Sequence, residues 1–300
     1  MRPILTAALF AALVPPALGQ TPQERAATVR YLQKLQRPDG GFLPAAADPR
    51  LDVVPQSSLR ATSAALRALK YFGGKVPDAT AAAQFVRACY VPETGAFADR
   101  PGGREEVFAT AVGLMAAKEL SLPLEPYREK SVAFLVENAK SFEDVRIAVA
   151  GLEALGEPRK LLGDEQAERW RKVLPELRGA DGAFRKDARL LGSAVAALYR
   201  LGFELDGPEA VKACAAAMRA DRRDDGAFGE QKAKTSDLGT TYRVVRSFVR
   251  LGESPGEVEK LRAFVENCRN ADGGYGNRPG EPSGVGPTYY AGILLHWLGR

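Results

Sequence analysis

A short turn motif recurs along the chain and constrains the fold more than any other feature. In each copy a polar residue, a glycine and a small residue precede an aromatic residue, as in Asp39-Gly40-Gly41-Phe42. Glycine supplies the positive φ that ends a helix, and the aromatic side chain packs back as an apolar plug. The aromatic positions lie 42 to 55 residues apart, which is the period of a helical-hairpin repeat. They are Phe42, Phe97, Phe142, Phe184, Phe228 and Tyr275, of which Phe142, in Lys140-Ser141-Phe142, ends a degenerate copy.

Two segments with helical periodicity flank each turn, and no strand pattern accompanies them. The segments after the turns are rich in alanine, leucine and valine at i, i+3, i+4 spacing, which predicts helices buried on more than one face. We predict first helices at about residues 22–36, 78–91, 125–140, 164–178, 207–220 and 255–270. We predict second helices at about residues 57–72, 105–120, 143–155, 186–201, 238–251 and 287–298.

Six hairpins can form either an open solenoid or a closed ring. An open solenoid normally needs a terminal repeat with a polar outer face. The last helix, from Tyr289 to Leu298, is as apolar as the interior ones, which favours closure. We therefore predict an all-α protein, an (α/α)6 toroid of six helical-hairpin repeats with the second helices inside, around a central cavity.

The charge and the N-terminus bear on partners and location. The net charge of +5 is small for 300 residues, and the basic residues are scattered, so we expect no nucleic-acid partner. Arg2 precedes an apolar run from Ile4 to Leu18, and Ala17 and Gly19 are the small residues of a cleavage site. This pattern predicts a signal peptide at 1–19, a toroid domain at 20–300, and export to the periplasm or outside the cell. No other apolar run reaches the length of a stable membrane span.

Two stretches carry a resemblance to a known family. Residues 89–102 read CYVPETGAFADRPG and residues 268–280 read CRNADGGYGNRPG, so a cysteine at a helix end precedes the turn and an Arg-Pro-Gly loop follows it. This pattern is similar to that of the prenyltransferase β-subunit and terpenoid-cyclase superfamily, and most like the type II protein geranylgeranyltransferase β subunit. The resemblance implies an α/α toroid. It says less about activity, because this fold hosts many functions.

The resemblance also implies where a zinc ion and a diphosphate would bind. The family's zinc site uses an Asp, a Cys and a His; here Asp237 matches the Asp, but Gly239 stands at the Cys position. Pro287 or Ala109 stands at the His position, depending on the loop used for counting, and Gly284 replaces the family's diphosphate-binding His. Zinc needs three or four converging ligands. We therefore expect no metal and no cofactor, with Asp237 as the only residual ligand candidate or simply a helix N-cap.

Other side chains are candidates for the cavity wall. Tyr242 and Tyr289 each follow a threonine at matched positions near the start of second helices, where the mouth of a toroid lies. Aromatic walls with a few charges are typical of ligand sites, and also of cavities filled by their own side chains. The candidate ligand-binding residues are Tyr242, Tyr289, Tyr290, Arg146, Arg243 and Glu106, with Arg100 and Arg278 from the two Arg-Pro-Gly loops.

Three functional hypotheses remain open. The favoured one is an exported toroid without catalytic activity that binds a lipid, peptide or glycan, or serves as a scaffold. The second, which rests on the resemblance, is an isoprenoid-handling transferase enzyme. The third is a polysaccharide-active (α/α)6 enzyme, which would need paired carboxylates facing the cavity. The pairs Glu105-Glu106 and Glu143-Asp144 are its candidates.

Overall fold

The computed structural model of the protein describes residues 20–46 and 55–299, so the predicted signal peptide lies outside the described residues. This part of the chain contains thirteen α-helices, none of them long and apolar enough to cross a membrane, and one two-stranded sheet. The helices that precede the turns form an outer ring: α1 (Pro22–Gln33), α3 (Ala79–Ala88), α5 (Glu125–Asn138), α7 (Pro158–Leu162), α8 (Asp164–Arg171), α10 (Pro208–Ala220) and α12 (Val258–Asn267). The helices that follow the turns form an inner ring: α2 (Leu59–Phe72), α4 (Val107–Glu119), α6 (Phe142–Leu155), α9 (Ala188–Arg200), α11 (Leu238–Leu251) and α13 (Val285–Leu298).

The inner ring is closed. Each inner helix packs against the next in the order α2, α4, α6, α9, α11 and α13, and α13 packs against α2. The outer helices α1, α3, α5, α10 and α12 each pack against the inner helix of their own hairpin, while α7 packs against α5, α6 and α8. Buried apolar side chains fill the space between the two rings. The predicted (α/α)6 toroid is confirmed.

The first and last hairpins are joined by polar contacts as well as by packing. Arg269, after α12, forms an ion pair with Glu24 of α1 at 3.4 Å. The backbone N–H of Val285, at the start of α13, donates to the carbonyl oxygen of Pro44 in the first turn at 2.9 Å. These bonds connect the two ends of the described chain around the ring.

The repeated turn is anchored to the inner helix by a threonine hydroxyl. The backbone N–H of Phe97 donates to Thr110 Oγ1 of α4 at 2.9 Å, and the Phe97 ring is fully buried. The turn therefore satisfies a buried backbone donor, which would otherwise destabilise the fold. The same bond recurs in three other repeats as the pairs Phe42–Thr62, Phe228–Thr241 and Tyr275–Thr288.

Three local predictions were wrong. The segment Lys140-Ser141-Phe142 is not a turn of the repeated kind: Ser141 caps α6, with its Oγ accepting from the Asp144 N–H, and Phe142 is the first helical residue. The outer helix predicted at 164–178 ends early: α8 stops at Arg171, and the extra short helix α7 precedes it, separated from it by Gly163 with a φ of 73°. Residues 90–97 form a small antiparallel hairpin of β1 (Tyr90–Val91) and β2 (Ala96–Phe97), too short for a periodicity signal.

The three cysteines are unpaired. Cys89, Cys214 and Cys268 are each buried, and burial raises the pKa of each thiol to about 12. They pack as small apolar groups, as expected for buried thiols without a metal or a disulfide.

Candidate functional site

A cavity of about 960 Å³ runs through the middle of the inner ring. Its size is within the range of small-molecule sites in proteins. Because the inner helices bury their other faces against neighbouring helices, the charged residues in their middle turns, such as Arg67, Arg146 and Arg246, line this cavity. Every inner helix contributes to the wall, for example through Arg67, Phe108, Arg146, Arg200, Tyr242 and Tyr289.

Aromatic rings form one continuous side of the wall. The ring of Tyr242 stacks between those of Tyr290, at 4.9 Å between centroids, and Trp297, at 5.8 Å. The ring of Tyr289 meets Tyr242 edge-on at 5.6 Å, and that of Tyr71 lies 6.3 Å beyond it. The flat faces and edges of these rings provide an apolar surface along which a hydrocarbon or planar group can pack.

Positive charge dominates the rest of the wall. Seven arginines and two lysines line the cavity, against only two carboxylates, Glu119 and Glu153. Charges inside a low-dielectric enclosure act over longer distances than in water. The cavity therefore favours an anion. The basic residues are Arg60, Arg67, Lys70, Lys118, Arg146, Arg200, Arg243, Arg246 and Arg250.

Two carboxylates are each shared between two arginines. Glu143, at the start of α6, accepts from Arg146 at 2.7 Å and from Arg243 at 3.0 Å. Glu153, at the other end of α6, accepts from Arg200 Nε at 2.6 Å and from Arg250. Burial by itself raises the pKa of each carboxyl, but the neighbouring guanidinium groups outweigh it and lower the pKa. Both side chains are therefore anions at neutral pH.

A chain of hydrogen bonds links two phenols and two arginines. Arg67 Nη1 donates to Tyr289 Oη at 3.0 Å, Tyr289 Oη lies 3.2 Å from Tyr242 Oη, and Arg246 Nη1 donates to Tyr242 Oη at 3.3 Å. Burial raises the pKa of Tyr289 far above its usual range, so its hydroxyl stays protonated and donates to Tyr242. Burial opposes ionisation of Tyr242 as well, but the charges of Arg246 and Arg67 outweigh it and lower its pKa to about 7.

Two arginines in the same region have unused donors. Arg246 is 5% exposed, and its Nε and Nη2 have no hydrogen-bond partner among residues 20–46 and 55–299. The side chain of Arg200 is 8% exposed, and its Nη1 likewise has no partner within these ranges. Burial lowers the pKa of Arg246 to about 10, and the nearby charges of Arg200 and Arg146 lower it as well. The guanidinium groups are therefore close enough to repel one another.

The structure brings together five of the eight residues proposed from sequence for the cavity. These are Tyr242, Tyr289, Tyr290, Arg146 and Arg243.

The other three of the eight lie elsewhere. Glu106 forms an ion pair with Arg60, which lines the cavity, but Glu106 itself is not part of the cavity wall. Arg100 borders a separate surface cleft, and Arg278 pairs with Glu281 at 3.0 Å. Both residues follow a turn in a loop that precedes an inner helix, and neither lines the central cavity.

Sequence reasoning missed Arg67, Arg200, Arg246 and Trp297. A signal for the arginines was present: Arg67 and Arg246 lie in the third turn of their inner helices and Arg200 at the end of α9, each among apolar or small residues. A helix that is packed on its other faces can direct such a charge only towards the cavity. Trp297 carries no comparable signal, since an aromatic residue in an apolar helix is ordinarily a core residue.

The residues at the family's zinc positions do not fit a metal. Asp237 caps α11, with Oδ1 accepting from the Thr240 N–H at 2.8 Å, and Gly239 donates its N–H to Asn277 Oδ1 at 3.1 Å. No group of three or more His, Cys, Asp or Glu side chains converges in a metal-binding arrangement within the part of the chain that the structure describes. A lone carboxylate without a sulfur or imidazole partner is a poor zinc ligand.

The carboxylate pairs do not fit glycoside hydrolysis. Glu106 and Glu143 are engaged with arginines, and Asp144 accepts from Ser141 in the capping box of α6. A glycosidase needs one carboxylic acid that stays protonated to donate to the leaving group. The arginines beside Glu143 lower its pKa despite burial, which is the opposite of what such an acid requires.

Comparison with known proteins gives one family and several similar structures. The sequence model of the prenyltransferase alpha-alpha toroid domain matches residues 5–106, 61–126 and 127–299. No curated protein matches by sequence comparison. Protein geranylgeranyltransferase-I of Candida albicans, complexed with GGPP, is 14% identical, with a TM-score of 0.64 over 80% of this chain and 83% of that chain.

Two further structures show the same arrangement. The type II terpene cyclase MstE from Scytonema is 12% identical, with a TM-score of 0.62 over 94% of this chain and 98% of that chain. A protein described as a wild-type glycosidase is 15% identical, with a TM-score of 0.58 over 94% of this chain and 99% of that chain. At these identities the likeness is one of fold, and the fold is shared by proteins with different activities.

Proposed function

Because the chain belongs to the prenyltransferase alpha-alpha toroid domain family, we propose that it is an exported, ligand-binding member whose cavity holds an amphipathic anion. The observation that carries this proposal is the set of residues that line the central cavity. Stacked aromatic rings and seven arginines line the same cavity of about 960 Å³. A ligand with a hydrocarbon body and an anionic head matches both parts.

The contacts separate this role from catalysis by the family's zinc chemistry. A thiol-prenylating enzyme uses zinc to hold the acceptor as a thiolate nucleophile. At the corresponding positions this chain has a capping aspartate and a glycine bonded to a neighbouring loop. The export part of the proposal rests on the charge, apolar run and small residues of positions 1–19.

A lipid-binding experiment tests the role directly. We expect protein purified from the periplasmic or secreted fraction to carry an anionic lipid, detected as a mass increment by native mass spectrometry. In titrations, geranylgeranyl diphosphate should quench the fluorescence of Trp297 and bind at least about 10-fold more tightly than geranylgeraniol, because charge-assisted hydrogen bonds hold the head group.

The protein's two tryptophans provide a matched pair of controls. Trp297→Phe should abolish the quenching, while Trp170→Phe, which removes a buried tryptophan of α8 that does not line the cavity, should retain it. Equal affinity for the diphosphate and the alcohol would contradict an anion site. A co-purifying peptide or neutral glycan would favour the other ligand classes.

The second candidate, an isoprenoid transferase, makes a different prediction about metal. We expect protein purified without chelator or affinity tag to contain no stoichiometric zinc by elemental analysis. We also expect no transfer of a prenyl group from a prenyl diphosphate to a cysteine peptide. Zinc that survives dialysis and is lost in the Asp237→Ala variant would favour the transferase instead. Loss of even indirect partners weakens metal sites by about 10- to 100-fold, so removal of a direct ligand should be evident.

A further inference from the structure

We propose that the centre of the cavity is an oxyanion site, in which Arg200 and Arg246 bind one phosphate, sulfate or carboxylate group, and that this group replaces the Tyr242 oxygen as the partner of Arg246. The inference rests on the proposed function and specifies how the anionic part of the ligand is held. Its second part is that the bound oxyanion takes the place of Tyr242 beside Arg246. Ligand binding is then coupled to the uptake of one proton by Tyr242.

The unused donors define the place. Arg246 makes one hydrogen bond, from Nη1 to Tyr242 Oη, and its Nε and Nη2 are buried without a partner among the described residues. Arg200 donates from Nε to Glu153, and its Nη1 is buried without a partner in the same part of the chain. A guanidinium offers donors in a planar fork that fits the oxygens of a phosphate or carboxylate. The two side chains thus carry three buried nitrogens without a partner in this part of the chain, and both residues line the cavity.

The charge balance of this region favours the binding of an anion. Six arginines from four helices face two ionised carboxylates, Glu143 and Glu153, while Glu119 pairs with Lys70. A buried charge without a counter-ion is strongly destabilising, whereas a paired one is tolerated. The six are Arg67, Arg146, Arg200, Arg243, Arg246 and Arg250.

Tyr242 is the counter-ion that the protein itself supplies. Its oxygen accepts from Arg246 and, through the Tyr289 hydroxyl, is connected to Arg67. Despite burial, these charges lower the pKa of Tyr242 to about 7, so the phenolate is populated at neutral pH. The titratable and charged groups facing this region are Arg67, Lys70 and Tyr71 of α2, Glu119 of α4, Glu143, Arg146 and Glu153 of α6, Arg200 of α9, Arg243, Arg246 and Arg250 of α11, and Tyr289 and Tyr290 of α13.

Binding of an oxyanion offsets the positive charge that favours the phenolate form of Tyr242. The bound group neutralises the charge of Arg246 and adds negative charge near Tyr242, so the pKa of the phenol rises. The phenolate then takes up one proton from solvent, and the bound state contains the anion and a neutral Tyr242. Affinity is therefore highest below the pKa of the free Tyr242, where no phenolate competes, and falls about 10-fold per pH unit above it.

Sulfate is the appropriate probe, because it does not titrate in the relevant range. We expect isothermal titration calorimetry to show sulfate binding about 30-fold more weakly at about pH 8.5 than at about pH 6. At the higher pH, sulfate should also reduce the tyrosinate absorbance by the equivalent of at most one residue. Arg246 remains a cation at both values, since its pKa is about 10.

Three variants separate the parts of the proposal. Tyr242→Phe should bind sulfate equally well at both pH values, with no absorbance change. Arg246→Met should weaken sulfate binding about 10- to 100-fold at the lower pH, as expected for the loss of hydrogen bonds to a charged group. Arg171→Gln, which alters an exposed arginine of the outer ring, should behave as the wild type.

A competition experiment connects the site to the ligand's head group. Sulfate should displace geranylgeranyl diphosphate, and raising the pH should weaken both. A pH-independent affinity for sulfate in the wild type, or a retained pH dependence in Tyr242→Phe, would overturn the proton exchange. Unchanged sulfate affinity in Arg246→Met, or independent binding of sulfate and lipid, would overturn the site, while quenching of Trp297 by the lipid would leave the proposed function standing.

Discussion

Replacement of Gly273 by alanine is expected to destabilise the protein by about 3 kcal/mol or more. Gly273 is the turn glycine of the last hairpin, and its φ is 90°. A Cβ at this position would lie 2.6 Å from the carbonyl oxygen of Ala27 in α1, the outer helix of the first hairpin. Because that oxygen belongs to a helix backbone, it cannot rotate away, and the two ends of the ring would be forced apart.

A second turn glycine isolates the effect of the close contact. Gly182 has a φ of 76°, and no described atom lies within 4 Å of the Cβ that an alanine would add. Gly182→Ala should therefore cost only the strain of a left-handed alanine, about 1–2 kcal/mol. Urea denaturation of the two variants measures the difference. Equal losses of stability would mean that ring closure does not depend on this contact.

Replacement of Arg246 by methionine is expected to have the opposite sign and to stabilise the ligand-free protein by about 1–4 kcal/mol. The pKa of Arg246 falls to about 10 because burial, and then the charges of Arg200 and Arg146, disfavour the cation in the folded state. A base with a lowered folded pKa is destabilising at every pH below that pKa, and the penalty is relieved only as the pH rises through it. At neutral pH, methionine removes this penalty and keeps much of the packing volume, while Tyr242 becomes an ordinary neutral phenol.

Thermal unfolding in the absence of sulfate, phosphate and lipid measures this effect. Arg171→Met is the matched control, since Arg171 is 47% exposed and its ion pair with Glu168 is on the surface. Its stability should change by no more than about 0.5 kcal/mol. A loss of stability in Arg246→Met would mean that the guanidinium is satisfied in the free protein, and that the arginine has a structural role.

Local residue chemistry made the ring predictable from sequence. The glycine of each turn, the aromatic plug and the apolar second helix form a pattern that survives in five copies. The threonine that anchors the plug lies in the first turn of the inner helix, so Thr241 and Thr288 occur at matched positions, each followed by a cavity tyrosine. The predictions at Ser141–Phe142 and at 164–178 failed, because serine capping at Ser141 and the end of α8 at Arg171 are local features that hydrophobic periodicity does not distinguish.

The sequence alone was also sufficient to exclude side-chain ligands at three of the family's zinc and diphosphate positions. Gly239, Pro287 and Gly284 lack side chains that could bind a metal or a phosphate, whatever their surroundings. The residue type is sufficient for such a conclusion because glycine has no side-chain donor or acceptor at all, and proline has no polar one.

Only the tertiary structure decided what the cavity is made of. Arg67, Arg200, Arg246 and Tyr289 come from four different helices, and their convergence on Tyr242 depends on the order and closure of the ring. The pKa of Tyr242 depends on charges that reach it through space rather than along the chain, and electrostatic energies vary with distance and burial. The sequence shows that these residues are present. The short distances between them, which make the arginines an anion site, exist only in the closed ring.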